Sequence, residues 1–225
     1  MTLAHPRIRT IEQLARDTNR PRVIFCDWHG VLCRKPFWHS ITDNTTHPLH
    51  TILTRELDRL FTTGNREGRE WMCGTRSSRD ILTTLAAHHR HLDVDQLLTQ
   101  LADDIARMPI DQPLLRALRR ARTYATVVLA TDNIDLFESV FRTAALGRNE
   151  RRSGMATLPD AAAAFDDILS SSDTGVLKSE DPQSFFGPWL TKAGLSFTDA
   201  LLIDDRTDNC TAFELHAGAA IEWIS

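Results

Sequence analysis

The chain has 225 residues, enough for one medium-sized domain with an insertion or for two small domains. With 42% hydrophobic and 25% charged residues, its composition is ordinary for a soluble globular protein. A formal charge of −4 leaves no basic footprint for nucleic acid, and no run approaches the roughly 18 to 20 apolar residues that span a bilayer, so neither nucleic acid nor a membrane is an expected partner.

In chain order, residues 1–20 read as a short leading helix, and Arg7, Arg9 and Glu12 with no long apolar core argue against a secretory signal. A first apolar run, Val23-Ile24-Phe25-Cys26, ends at Asp27. Residues 49–61, 78–87 and 94–108 carry helical periodicity, and the stretch around them contains no convincing strand. Residues 113–122 open with a proline and close in Arg119, Arg120 and Arg122, which suits a helix from end to end.

The second apolar run, Thr126 to Ala130, leads into Thr131, and a helix over 133–146 is expected to stop at Gly147 as its C-cap. The alanines at 161–164 read as a helix fragment, and Ile168-Leu169 runs into Ser170. A helix over 182–193 precedes Gly194. Leu201-Leu202-Ile203 then runs into Asp204, a helix over 207–217 precedes Gly218, and an apolar run at 219–224 closes the chain.

Short continuous apolar runs suit strands buried on both faces, and their alternation with helices predicts an α/β fold: a three-layer, Rossmann-like sandwich around a parallel sheet. The helical segment after the first strand is predicted to be an inserted, all-helical cap. The expected division is 1–33 and 112–225 for the α/β core, and 34–111 for the cap. Asp27, Thr131, Ser170 and Asp204 then fall at the carboxyl ends of strands, where open α/β sheets gather ligands. Cys26, Cys33, Cys73 and Cys210 are scattered without Cys-x-x-Cys spacing, which predicts reduced thiols and a cytoplasmic location.

Four motifs in order give the chain a family likeness. Asp27-Trp28-His29-Gly30-Val31-Leu32 ends the first strand, Thr131 ends the second, Lys178 precedes a helix, and Asp204-Asp205 closes a strand with Asn209 following. Together they resemble the motifs of the haloacid dehalogenase superfamily, mostly phosphatases, in the group with a helical cap between the first two motifs. The resemblance implies that Asp27 is the nucleophile of an aspartyl-phosphate mechanism acting on a small phosphorylated metabolite. It implies Mg²⁺ held by Asp27, the main-chain carbonyl of His29 and one or both of Asp204 and Asp205. Trp28, Thr131, Asp132, Asn133 and Lys178 are the implied phosphate contacts. Lys178-Ser179-Glu180-Asp181-Pro182 carries one residue more than the family's usual third motif.

The main departure is His29, which stands where phosphatases of this family have a second aspartate. Histidine can protonate a leaving oxygen and then activate water near neutral pH. Family members that replace this aspartate often do other chemistry, including carbon–halogen and carbon–phosphorus cleavage, and a catalytically weak binding relative is a further alternative. The acidic pair favours a metal and disfavours dehalogenation, which needs none. Lys192 is a rival to Lys178, and Asp208 reads as a first-turn helix residue. Asp132 and Asn133 could orient substrate or cap a helix. His88-His89-Arg90-His91 reads as a polar helix end, since adjacent histidines do not share a helix face. Trp38, His39, Arg76 and Arg79 are the cap residues weighed as substrate contacts. A monomer or a homodimer is expected.

Overall fold

The computed structural model describes residues 20–89, 91–146 and 158–224, together with Ile11 and Gln13. Five parallel strands form one sheet in the order β3-β2-β1-β4-β5, with β1 Val23–Cys26, β2 Thr126–Thr131, β3 Asp167–Ser170, β4 Ala200–Asp204 and β5 Ala219–Glu222. The chain fills one side of the sheet through β3, then crosses to the other side of β1 to begin β4. The strand order therefore reverses between β1 and β4, the switch point at which such sheets open a crevice. The residues just past those two strands are Asp27 and Asp205.

Alternate residues of the strands feed two cores. Ile24, Cys26, Val127, Leu129, Leu201 and Ile203 face one side. There they meet Leu114 and Leu118 of α6 (Gln112–Ala121) and Phe137 of α7 (Asp135–Leu146). Val23, Phe25, Val128, Ala130 and Leu202 face the other. Phe185, Phe186 and Leu190 of α10 (Pro182–Lys192) and Phe213 of α11 (Thr207–Leu215) cover them. The three central strands β2, β1 and β4 are dry on both faces, which is why they read as unbroken apolar runs.

Between β1 and α6 lie the cap helices: α1 His39–Thr42, α2 His50–Leu60, α3 Arg66–Met72, α4 Ser78–His88 and α5 Val94–Ala106. Among the described residues, α8 Leu158–Ala162, α9 Ser171–Thr174 and a 3-10 turn at Phe197–Asp199 lie between the larger elements. The expected three-layer sandwich with a helical cap is thus the observed fold. The Asp111 N–H donates to the Leu32 carbonyl at 2.8 Å, so the outgoing and returning chains of the cap meet. A second seam lies at α3 and α4. Ser171 Oγ donates to the Met72 carbonyl at 2.6 Å, and both the N–H and the hydroxyl of Ser78 donate to the Asp135 carboxylate. Arg69 adds a bidentate pair to Glu180 at 2.7 and 2.6 Å. The residue that lengthens the third motif lies within this segment, which supplies a partner for the cap.

Two expectations change. Helix α3 has too short an apolar pattern to be legible, and Asn65 starts it by accepting the Gly68 N–H at 3.0 Å. Helix α11 stops two residues early at Leu215. Its left-handed residue is Ala217 (φ 66°), whereas Gly218 gives room to Phe213, whose ring lies 2.2 Å from where a Cβ would stand. The C-cap at Gly147 and most of the leading helix lie outside the described residues. Ile11, which is described, is buried in the core. The four cysteines are free and buried, and no described helix is long and apolar enough to cross a membrane.

Candidate active site

Strand β1 delivers Asp27 to the switch point, and the backbone turns immediately. Gly30 has φ +81°, and an added Cβ there would sit 1.8 Å from Asp205 Oδ2. The turn needs glycine twice over, for its left-handed backbone and for the space that the Asp205 carboxylate occupies. Gly30→Ala is therefore expected to push Asp205 away and weaken divalent-ion binding. The check is the Mg²⁺-dependent rise in melting temperature, which grows with ligand concentration over Kd. An unchanged rise would remove Asp205 from the ion site.

Lys178 is the hub of the site. Its side chain is 1% exposed, with Nζ 2.9 Å from Asp27 Oδ1 and 2.5 Å from Asp204 Oδ2. It also donates to the Ala130 carbonyl at 3.2 Å. Its main-chain N–H donates to Asp132 Oδ1 at 3.0 Å, so Asp132 pins the loop that carries the lysine. Asp204 is held from several sides: the Arg206 N–H reaches Oδ1 at 3.0 Å, and Asn209 Nδ2 reaches both oxygens at 3.0 and 3.1 Å. The rival Lys192 is exposed at the end of α10.

The charges do not balance among themselves. Carboxylate oxygens of Asp27, Asp204 and Asp205 lie within 4.8 Å of one another, and the lysine offsets only one negative charge. Burial pushes Asp27 up to about 8 against the pull of Lys178, and Asp204 adds to the rise. Burial and Asp204 likewise raise Asp205. Burial works against the Lys178 ammonium, yet Asp27, Asp204 and Asp132 together hold its pKa above the ordinary lysine value. Asp27 Oδ1, though within ion-pair distance of Lys178, has no aligned hydrogen bond, and buried Asn209 Oδ1 has none either. An all-oxygen cluster with surplus negative charge fits a hard divalent cation such as Mg²⁺.

A pH prediction follows from the raised Asp27. Below about pH 8 in the metal-free protein this carboxyl holds a proton that a cation must displace. Mg²⁺ affinity should therefore climb between about pH 6 and pH 9, with protons released on binding. Calorimetry in buffers of different ionisation enthalpy reads both effects, and a pH-independent affinity would contradict them.

The other sequence candidates divide. Asp27, His29, Asp132, Asn133, Lys178 and Asp205 all line one cleft of about 730 Å³ between sheet and cap. Trp28 does not: its fully buried indole donates to Met108 Sδ at 3.4 Å and packs 5.2 Å from Phe137, tying core to cap. Its side chain packs in the core and does not line the cleft. Thr131 is fully buried, and its Oγ1 accepts the Asn133 amide at 3.3 Å, so Asp132 and Asn133 represent that strand end in the cleft. One oxygen of the Asp132 carboxylate accepts the Lys178 main-chain N–H, so the residue positions the lysine loop while also lining the cleft. His29 opens to solvent within the cleft, and desolvation by the surrounding protein lowers its pKa.

None of the four cap candidates lines the cleft. Trp38 is buried and donates to the Leu97 carbonyl, His39 lies against the Asp104 carbonyl, Arg76 pairs with Glu67, and Arg79 pairs with Asp95. The roof consists instead of Pro36, Phe37, Leu57, Asp58, Phe61, Thr62 and Met72. One signal was available: Phe61, at the end of the amphipathic 49–61 stretch, is a large aromatic that is 41% exposed. Asp208 lies in the first turn of α11 and pairs with Arg206, and among the described residues the only metal-competent cluster is Asp27, Asp204 and Asp205.

No protein-family model and no curated protein matches this sequence, so the comparisons rest on solved structures. A haloacid dehalogenase (HAD)-family enzyme from Bacteroides thetaiotaomicron, solved with magnesium and inorganic phosphate, superimposes with a TM-score of 0.64 at 15% identity, over 89% of this chain and 93% of that one. A predicted HAD-like hydrolase from Porphyromonas gingivalis gives 0.66 at 16% identity, over 89% and 90%. An L-2-haloacid dehalogenase gives 0.62 at 14% identity, over 90% and 86%. The chain has the haloacid-dehalogenase-like fold, with its helical cap.

Proposed function

We propose that this protein is a Mg²⁺-dependent hydrolase of small phosphate monoesters that works through a phosphorylated Asp27. The observation that carries the reading is the meeting of Asp27, Lys178 and Asp205 on the floor of a cleft roofed by the cap, with Asp204 buried directly against the lysine. The magnesium and inorganic phosphate bound by the Bacteroides enzyme of the same fold support it.

Asp27 attacks phosphorus as the bond to the alcohol oxygen breaks, which splits one hard displacement into two. Lys178, fixed by Asp204, holds positive charge beside both the nucleophile and the phosphoryl oxygens. Asp27, Asp205, Asp204 and the His29 carbonyl would hold the cation, which supplies further charge to the phosphoryl group. His29 lines the cleft two residues past the nucleophile, and its imidazole would trade a proton with the leaving oxygen and then take one from the attacking water. Its lowered pKa favours the second task.

The test is phosphate release from a panel of monoesters with and without Mg²⁺, for wild type, His29→Ala and His29→Asp. Wild type should turn over with Mg²⁺. His29→Ala should lose roughly 10² to 10⁴-fold, and His29→Asp should recover part of that loss. An inactive wild type beside an active His29→Asp would overturn the reading. The histidine and the shared fold of the L-2-haloacid dehalogenase favour one second reading, halide displacement by Asp27. Metal-independent halide release from 2-haloacids, without phosphate release, would establish it instead.

A further inference from the structure

Floor and roof of the cleft have opposite chemistry. The floor is polar and ionic, whereas the roof presents Phe37, Leu57, Phe61 and Met72 with only Asp58 and Thr62 among them. Phe61 stacks on Trp71 at 5.8 Å and 24°, and its ring lies 6.0 Å from Phe37. Two aromatic faces are thus held rigid beside open space, at little further entropy loss when a ligand packs on them.

The roof also lacks positive charge. Among the described residues, no lysine or arginine of the cap lines the cleft. Arg55 and Arg59 pair with Glu56, Arg59 and Arg76 with Glu67, and Arg69 with Glu180, while Arg206, which lines the cleft from beyond β4, pairs with Asp208. Asp58 has no ion pair among the described residues. It is exposed and lies one helical turn before Phe61 and Thr62. A second phosphate or a carboxylate on the ligand would meet a bare carboxylate and apolar surface, whereas a cationic amine would meet its complement.

We propose that the roof selects monoesters whose alcohol part is a flat, apolar body carrying an amine, with Phe37 and Phe61 taking the body and Asp58 the amine. This rests on the phosphatase reading for the placement of the phosphate, but the roof makes its selection in binding.

The experiment therefore has two arms. In the first, turnover of 4-(aminomethyl)benzyl phosphate, benzyl phosphate and glucose 6-phosphate is compared. In the second, calorimetry with Mg²⁺ present measures binding of benzylphosphonate and of its 4-aminomethyl derivative, which cannot be hydrolysed. The amine should improve both kcat/KM and Kd by about tenfold or more. Asp58→Asn should erase that preference without weakening benzylphosphonate, and Phe61→Ala should weaken both phosphonates. Equal affinity for the two phosphonates in wild type, or a glucose 6-phosphate kcat/KM above that of benzyl phosphate, would overturn the proposal. If no ester turns over but the binding order holds, the roof assignment stands and the phosphatase reading alone fails.

Discussion

Asp27→Asn should lower kcat/KM on the order of 10⁴-fold or more, the scale of losing a covalent nucleophile. The variant should nevertheless fold, and in the absence of Mg²⁺ it should melt at the same temperature as wild type or above it. Asp27 is an ordinary carboxyl when unfolded, near 3.8, but titrates near 8 in the folded, metal-free protein. Folding is therefore unpenalised below about pH 4 and loses stability as pH rises toward about 8, because burial opposes the ionised form. Asparagine removes that charge, so the variant's advantage should widen with pH. Mg²⁺, which stabilises wild type by binding its folded form, should stabilise the variant less. Thermal melts at several pH values, with and without Mg²⁺, read all three effects. Full turnover by the variant would contradict the assignment of Asp27.

Lys178→Met should cost both activity and stability. The side chain is buried against Asp27 and the fully enclosed Asp204 carboxylate, and methionine leaves Asp204 without its counter-charge. Removing one partner of a buried ion pair costs roughly 3 to 5 kcal/mol. At about 2 to 4 °C per kcal/mol for a chain of this size, the melting temperature should fall by roughly 6 to 20 °C. The deficit should shrink in acid, where protonation relieves the stranded carboxylate. A melting temperature within about 2 °C of wild type at neutral pH would mean that Lys178 does not hold the cluster together.

The frame of this fold is legible in the sequence because its physics is local and repetitive. Strands dry on both faces must be apolar throughout, so Val23 to Cys26 and Leu201 to Ile203 announce themselves, and each ends at a carboxylate that needs a polar partner, met here by Lys178. The floor of the site follows, since Asp27, Lys178 and Asp205 sit where strands or a loop before a helix must end. Side-chain direction was the harder part. Trp28 and Thr131 hold the expected positions beside the nucleophile and at a strand end, yet both side chains are buried: Trp28 is turned inward by Met108, 80 residues away, and Thr131 is fully enclosed and accepts from Asn133 two residues on. The roof was illegible for the same reason. Helical periodicity in 49–61 marks what α2 buries, but only the packing of α2 and α3 against one another decides that Asp58 and Phe61 look onto the cleft.

Trapping the enzyme during turnover is the most direct test of the central claim. A monoester that proves to be a substrate is mixed with the protein and Mg²⁺, quenched in acid within the first turnover, and the digested chain is mapped by mass spectrometry. A phosphoryl group on the peptide containing Asp27, absent in Asp27→Asn, is the predicted result. Phosphate release with no phosphorylated peptide, or with the phosphoryl group on another residue, would contradict the account.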